Sequence, residues 1–360
     1  MSSSAEREAI SSHAAALHAS SLVIDGASFF LHGYNERIEQ GGLTAAIFMV
    51  PMPQDDLPAT VGRIREYYDI AGRDQRVEIA WNVDVIARCK REGKLAAIIG
   101  CQNSRFLGTE LTNVEVFARL GMRVVQLTYN ERNVVADGCL EPENAGLSFF
   151  GRKLVRELNA CGIVVDLSHC GERSSLDAAD ASRHPVIFSH AGLRAMVDNP
   201  RTITDEQVRA VAATGGVIGV SSFPTFNWQG GPTRPSLDNY LDAIEHVIGL
   251  VGVDHVGMGT DHVVEPGGYP QWLRDYFAHQ YDDYSPQKAA INARYRQVTA
   301  GISREDQLEG FGGIHDFPRV TDGLLARGYS DADVQKVLGG NFLLVFRTVW
   351  SDAPRLAAGV

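Results

Sequence analysis

Ile163-Val164-Val165-Asp166-Leu167-Ser168-His169 and Pro185-Val186-Ile187-Phe188-Ser189-His190 are two short apolar runs, and each ends in Ser-His. Brief runs rich in β-branched residues read as buried strands. Between them, Glu172 to Arg183 has the length and composition of a crossover helix. Parallel strands joined in this way carry both C-terminal ends to one side of a sheet. The imidazoles of His169 and His190 are therefore expected side by side, at the face where α/β enzymes bind ligands. A lone histidine after a strand is ordinary. Two in consecutive strands, in the same setting, mark the floor of a site.

Working outward, strand-like runs recur at Leu22–Gly26, Thr44–Met49, Leu95–Cys101, Arg123–Tyr129, Val217–Ser222 and His255–Asp261. Helical stretches separate them: about 57–90, Val114–Leu120 capped by Thr112 or Asn113, 148–160 capped by Ser148, about 204–213 with a Thr204/Gln207 capping box, and Leu237–Val251. Residues 5–20 and two last helices, about 319–327 and 331–350, complete the pattern. Eight alternations without a repeat or linker favour an α/β fold of the closed (β/α)₈ barrel type over an open sheet. One domain over 1–360 is expected, with an insertion at about 265–313 after the eighth strand. No GxGxxG follows the first strand and no GxxxxGK[ST] occurs, so dinucleotide and P-loop readings lose their support.

The 360 residues are 44% hydrophobic and 21% charged, in the range of globular proteins. A net charge of -11 argues against nucleic acid as a partner, because phosphate contacts need a basic face. Five cysteines, Cys89, Cys101, Cys139, Cys161 and Cys170, show no CxxC spacing and fit free thiols in a reducing compartment. No secretory signal and no membrane-length apolar stretch is visible, so a cytoplasmic location is expected.

In a barrel the polar residues at strand ends meet at one mouth: Asp25, Gln102, Asn103, Tyr129, Asn130, His169, His190, Ser221, Ser222 and Asp261. Two neutral imidazoles and a carboxylate are ordinary zinc ligands, and Asp261 could take a proton from metal-bound water. Arg201, in the loop after the sixth strand, could hold a substrate carboxylate or sit in a surface ion pair.

Several motifs together, Gly146–Gly151, Glu157-Leu158-Asn159, Asp166–His169, Pro185–His190, Asn199-Pro200-Arg201, Gly257-Met258-Gly259-Thr260-Asp261 and Gly340-Asn341-Phe342, resemble the membrane (renal) dipeptidase family, peptidase family M19. The resemblance implies an amidohydrolase-type barrel, usually a homodimer, with a binuclear zinc centre that hydrolyses dipeptides. It carries the metal-ligand role to His169 and His190, the catalytic aspartate to Asp261 and the substrate-carboxylate arginine to Arg201.

The chain departs from that pattern on one side of the centre. Where the family has Asp-Gly-His-x-Asp after strand one, this chain has Asp25-Gly26-Ala27-Ser28-Phe29. The bridging glutamate aligns with Gln102, a poor metal bridge, and the histidine after strand four aligns with Tyr129. The expectation is a dipeptidase-like hydrolase of a small amide. It would hold one zinc ion on His169, His190 and Gln102, use Asp261 and Tyr129 in catalysis, and place Arg201, Asn130 and Phe29 at the substrate. A non-catalytic binding descendant of the fold is the alternative.

Overall fold

The computed structural model describes residues 9–228, 233–266, 289–299 and 307–351, with a few single positions between 268 and 275. Its inner wall is made of β1 (Ile24–Phe29), β2 (Ala45–Met49), β3 (Leu95–Cys101), β4 (Met122–Gln126), β5 (Val164–Asp166), β6 (Ile187–Leu193), β7 (Val217–Val220) and β8 (Val256–Met258). Each pairs in parallel with the next, and β8 returns to β1 through the Asp25–Met258 register. The sheet thus closes into the (β/α)₈ barrel that the alternation predicts. Closure leaves no free edge.

Local signals fix several helices. Ser148 caps Phe149–Ala160 by accepting from the Gly151 N–H at 2.9 Å. Thr204 and Gln207 form the expected capping box on Asp205–Ala213. Other boundaries differ from the sequence reading. The stretch expected as one helix over 57–90 is two, Leu57–Arg73 and Val83–Glu92, with a short strand Val77–Ile79 between them that pairs with β3. Asp74 ends the first helix and its carboxylate accepts from the Tyr34 and Arg76 N–H groups, while Asn82 caps the second. Neither Thr112 nor Asn113 caps Thr112–Arg119; Asn113 donates to the Leu107 carbonyl instead. The last helix is interrupted by a π turn at Lys336–Gly340. Gly339 lies there against Ile24, where a Cβ would come within 2.8 Å of the isoleucine side chain. Of the insertion, a helix at Ala289–Thr299 is described, and most of 267–306 outside it falls beyond the described residues.

The barrel centre is unusually tight at β6. Register against β7 slips between Phe188 and Ala191, and the Ser189 carbonyl is closely approached by glycine backbone. A Cβ at Gly26, Gly219 or Gly259 would approach that oxygen to 2.2, 2.1 or 1.9 Å. Three strands therefore carry glycine where they pass Ser189.

Candidate active site

Two buried carboxylates organise the mouth. At the end of β5, Asp166 accepts from the Ser168 N–H (2.9 Å), the Ser189 N–H (3.0 Å) and the Ser189 hydroxyl (2.5 Å). Ser168 Oγ accepts from the His190 N–H at 3.1 Å. This network locks β5 to β6 directly beneath His190. On the opposite side Asp25 accepts from Ser28 Oγ, from the Thr260 N–H and from Thr260 Oγ1. It thereby fixes the residue before Asp261. Burial raises the pKa of both carboxyls, that of Asp25 to about 6.

Asn130, His169 and Asp261 all have left-handed backbone, with φ of 60, 61 and 61°. For non-glycine residues this costs on the order of 1 kcal/mol or more each, and such strain gathers at functional sites. Asn130 Oδ1 lies 2.6 Å from His169 Nδ1, and the Tyr129 ring stacks on the His169 imidazole at 4.3 Å. An amide oxygen only accepts, so His169 Nδ1 carries the proton. Ser189 gives its one hydroxyl proton to Asp166, so the His190 Nδ1–H, at 2.8 Å, donates to Ser189 Oγ.

Both Nε2 atoms then bear lone pairs, and they face each other at 3.0 Å. Burial, helped by the nearby Arg201 charge, holds the His190 pKa well below the imidazole range, which opposes bridging by a proton. The arrangement suits a metal cation. A tetrahedral zinc about 2.0–2.1 Å from each nitrogen would need the pair roughly 3.3 Å apart, a small opening. Gln102 Nε2 is 3.4 Å from His190 Nε2, and a half-turn of the amide would present its oxygen. The Asp261 carboxylate stands 3.8 Å from His190 Nε2. Among the described residues no cluster of three or more His, Cys, Asp or Glu is gathered for a metal. The donors gathered at this point are two imidazoles and an amide, with no bridging carboxylate among the described residues.

Arg201 is 4% exposed; its Nη2 donates to the His190 carbonyl at 3.1 Å and its guanidinium lies over the Phe226 ring. Its Nε is buried with no hydrogen-bond partner among the described residues. Phe29, buried at the end of β1, is in register with Val263 and belongs to the apolar cluster that includes Ala27 and Met49. Asn130, expected at the substrate, commits its oxygen to His169. Sequence reasoning did not assign Asp166, Ser168 or Ser189; the repeated Ser-His was their signal. Cys101, the last residue of β3, and Cys170, in the loop after β5, are buried thiols whose pKa burial pushes up to about 12, unsuited to act as nucleophiles.

The sequence profile of the membrane dipeptidase family (peptidase family M19) matches residues 32–276. The chain belongs to peptidase family M19. A dipeptidase of Claviceps purpurea is 30% identical to this M19 chain over 289 residues, which are 80% of this chain and 57% of the fungal protein. The M19 chain thus spans little more than half of that relative. The solved structure of an amidohydrolase from Pseudomonas aeruginosa is 33% identical, superposes with a TM-score of 0.82, and covers 94% of this chain and 99% of its own. A metallo peptidase from Rhodobacter sphaeroides, 19% identical over 91% of this chain and 99% of its own, has the same fold at a TM-score of 0.71. No helix among the described residues of the M19 chain is long and apolar enough to cross a membrane.

Proposed function

We propose that this protein is a metal-dependent hydrolase of a small peptide-like amide, with one zinc ion held by His169 and His190 and completed by Gln102. The observation that carries this reading is the pair of Nε2 lone pairs at 3.0 Å, both tautomers being set from behind. The ion, when bound, supplies Lewis acidity and a water that ionises near neutral pH. The Asp261 carboxylate, beside His190, would act as the general base and acid that holds and moves a proton at this point of the site. Arg201 anchors a substrate carboxylate through its uncommitted donor. Tyr129, where the family resemblance places a histidine, offers its phenol to the reacting carbonyl. Phe29 and Ala27 present an apolar wall on the side of β1.

The replaced ligands also favour a second reading, a non-catalytic descendant that binds a small ligand at Arg201. Metal analysis of protein purified without added zinc, with a panel of dipeptides, N-acyl amino acids and lactams, separates the two. The hydrolase reading expects at most about one zinc per chain and turnover abolished in His190→Ala and Asp261→Asn. Two zincs per chain would overturn the single-ion site. Absence of turnover across the panel with zinc bound would favour the binding role.

A further inference from the structure

A cavity of about 370 Å³ borders the site, although neither histidine is among its lining residues. Two of its lining residues tie it to the site: Tyr129, which stacks on His169, and Asn103, which follows Gln102. Most of its polar groups are already committed. Asn103 donates to the Pro53 carbonyl and accepts from the Arg105 N–H and from Asn133. Arg132 reaches Asp137 with two nitrogens, at 2.5 and 3.1 Å. Glu131 lines the cavity and has interactions of its own. Arg105 differs. It lines the cavity, its side chain is exposed, and no carboxylate of the described residues pairs with its guanidinium.

Arg105 follows β3 and Arg201 follows β6, so both loops lie at the C-terminal end of the barrel, as do the imidazoles. We infer that this cavity is an acyl-side subsite in which Arg105 selects substrates carrying a carboxylate on the N-terminal side of the scissile amide. The inference rests on the hydrolase reading above. A substrate held by its C-terminal carboxylate on Arg201 extends its acyl portion past Tyr129 into this space. A glutamyl or aspartyl side chain, or the free acid of a dicarboxylic acyl group, then meets the guanidinium. A guanidinium matches such a group bidentately, and neutral isosteres forgo the charge-assisted part.

The test compares Glu-Ala, Gln-Ala and Lys-Ala on zinc-supplemented full-length protein. Wild type is expected to prefer Glu-Ala over Gln-Ala by about tenfold in kcat/KM, carried by KM and shrinking with added salt. Arg105→Gln should equalise the two while leaving turnover of Ala-Ala within about twofold, the range of a contact that neutral substrates lack. Arg105→Glu should reverse the order in favour of Lys-Ala. An acid preference that survives Arg105→Gln, or its absence in wild type, overturns the proposal. If no dipeptide is turned over, the hydrolase reading fails by itself. Calorimetry with phosphinate analogues of Glu-Ala and Gln-Ala then decides the subsite: equal affinities, or no binding of either, overturn it, and an Arg105-dependent preference for the acid upholds it.

Discussion

The Nε2 atoms of His169 and His190 face each other at 3.0 Å, each ring fixed by a hydrogen bond at its far nitrogen. Asn130 sets one ring and the Ser189–Asp166 relay sets the other. Removing either support frees a ring to rotate or change tautomer while leaving the metal-facing atom chemically intact.

Asn130→Ala should therefore weaken zinc binding by about 10–100-fold, as loss of a partner behind a metal-bound histidine does. Competition against a chromogenic chelator measures this without reference to turnover. Unchanged affinity would mean that Asn130 does not hold the ring.

Gln102→Glu should act in the opposite sense. A carboxylate beside the same two imidazoles adds charge and a better oxygen donor, so zinc should bind at least about tenfold more tightly. The same chelator competition reads the result, and a weaker site in the variant would show that Gln102 lies outside the coordination sphere.

Gly259 and Gly249 make a matched pair for stability. A Cβ at Gly259 would meet the Ser189 carbonyl at 1.9 Å, so Gly259→Ala should cost at least about 2–3 kcal/mol of unfolding free energy. At Gly249, within Leu237–Val251, nothing lies within 4 Å, and Gly249→Ala should stabilise by about 0.5–1 kcal/mol. Urea denaturation compares both with wild type.

The Asp25 carboxylate accepts from the Ser28 hydroxyl and from the N–H and hydroxyl of Thr260. Asp25→Ala leaves those buried donors unmatched and should destabilise by about 2–4 kcal/mol. Because Thr260 precedes Asp261, turnover should fall further than the loss of folded protein explains. Rates normalised to folded protein by near-ultraviolet dichroism separate the two effects.

His18 supplies a pH dependence remote from the site. It is buried, its Nε2 donating to the Gly41 carbonyl at 2.9 Å and its Nδ1 lying 2.7 Å from Thr321 Oγ1. Burial lowers its pKa below the free value of 6.5. The unfolded chain then binds the proton more readily, so this stabilisation is fully present above pH 6.5 and is lost as pH falls through the folded-state value. Thermal midpoints should drop on acidification below 6.5, with a shallower slope in His18→Gln. An unaltered slope in that variant would remove His18 as a source.

The sequence alone determined much of the scaffold and the pairing of the two histidines. Short β-branched runs ending in Ser-His, the Ser148 cap and the Thr204–Gln207 box are written in neighbouring residues, because periodicity and capping are local. The same locality explains the misreading of 57–90. Val77–Ile79 is too short to interrupt helical composition on its own, and it is a strand only because β3 lies beside it.

Tertiary structure decided what each polar group does. Asp25 and Asp166 each hold a near neighbour, Ser28 and Ser168, but only barrel closure and the β6 slip bring the distant Thr260 and Ser189 to them. The histidines were legible as a pair, yet the direction of their lone pairs was not. That depends on which partner each Nδ1 finds, and Asn130 reaches His169 through a left-handed backbone turn that no residue pattern announces. Glycine at 26, 219 and 259 likewise looks like three unrelated choices along the chain. Around the closed barrel they are one requirement, room for the carbonyl of Ser189.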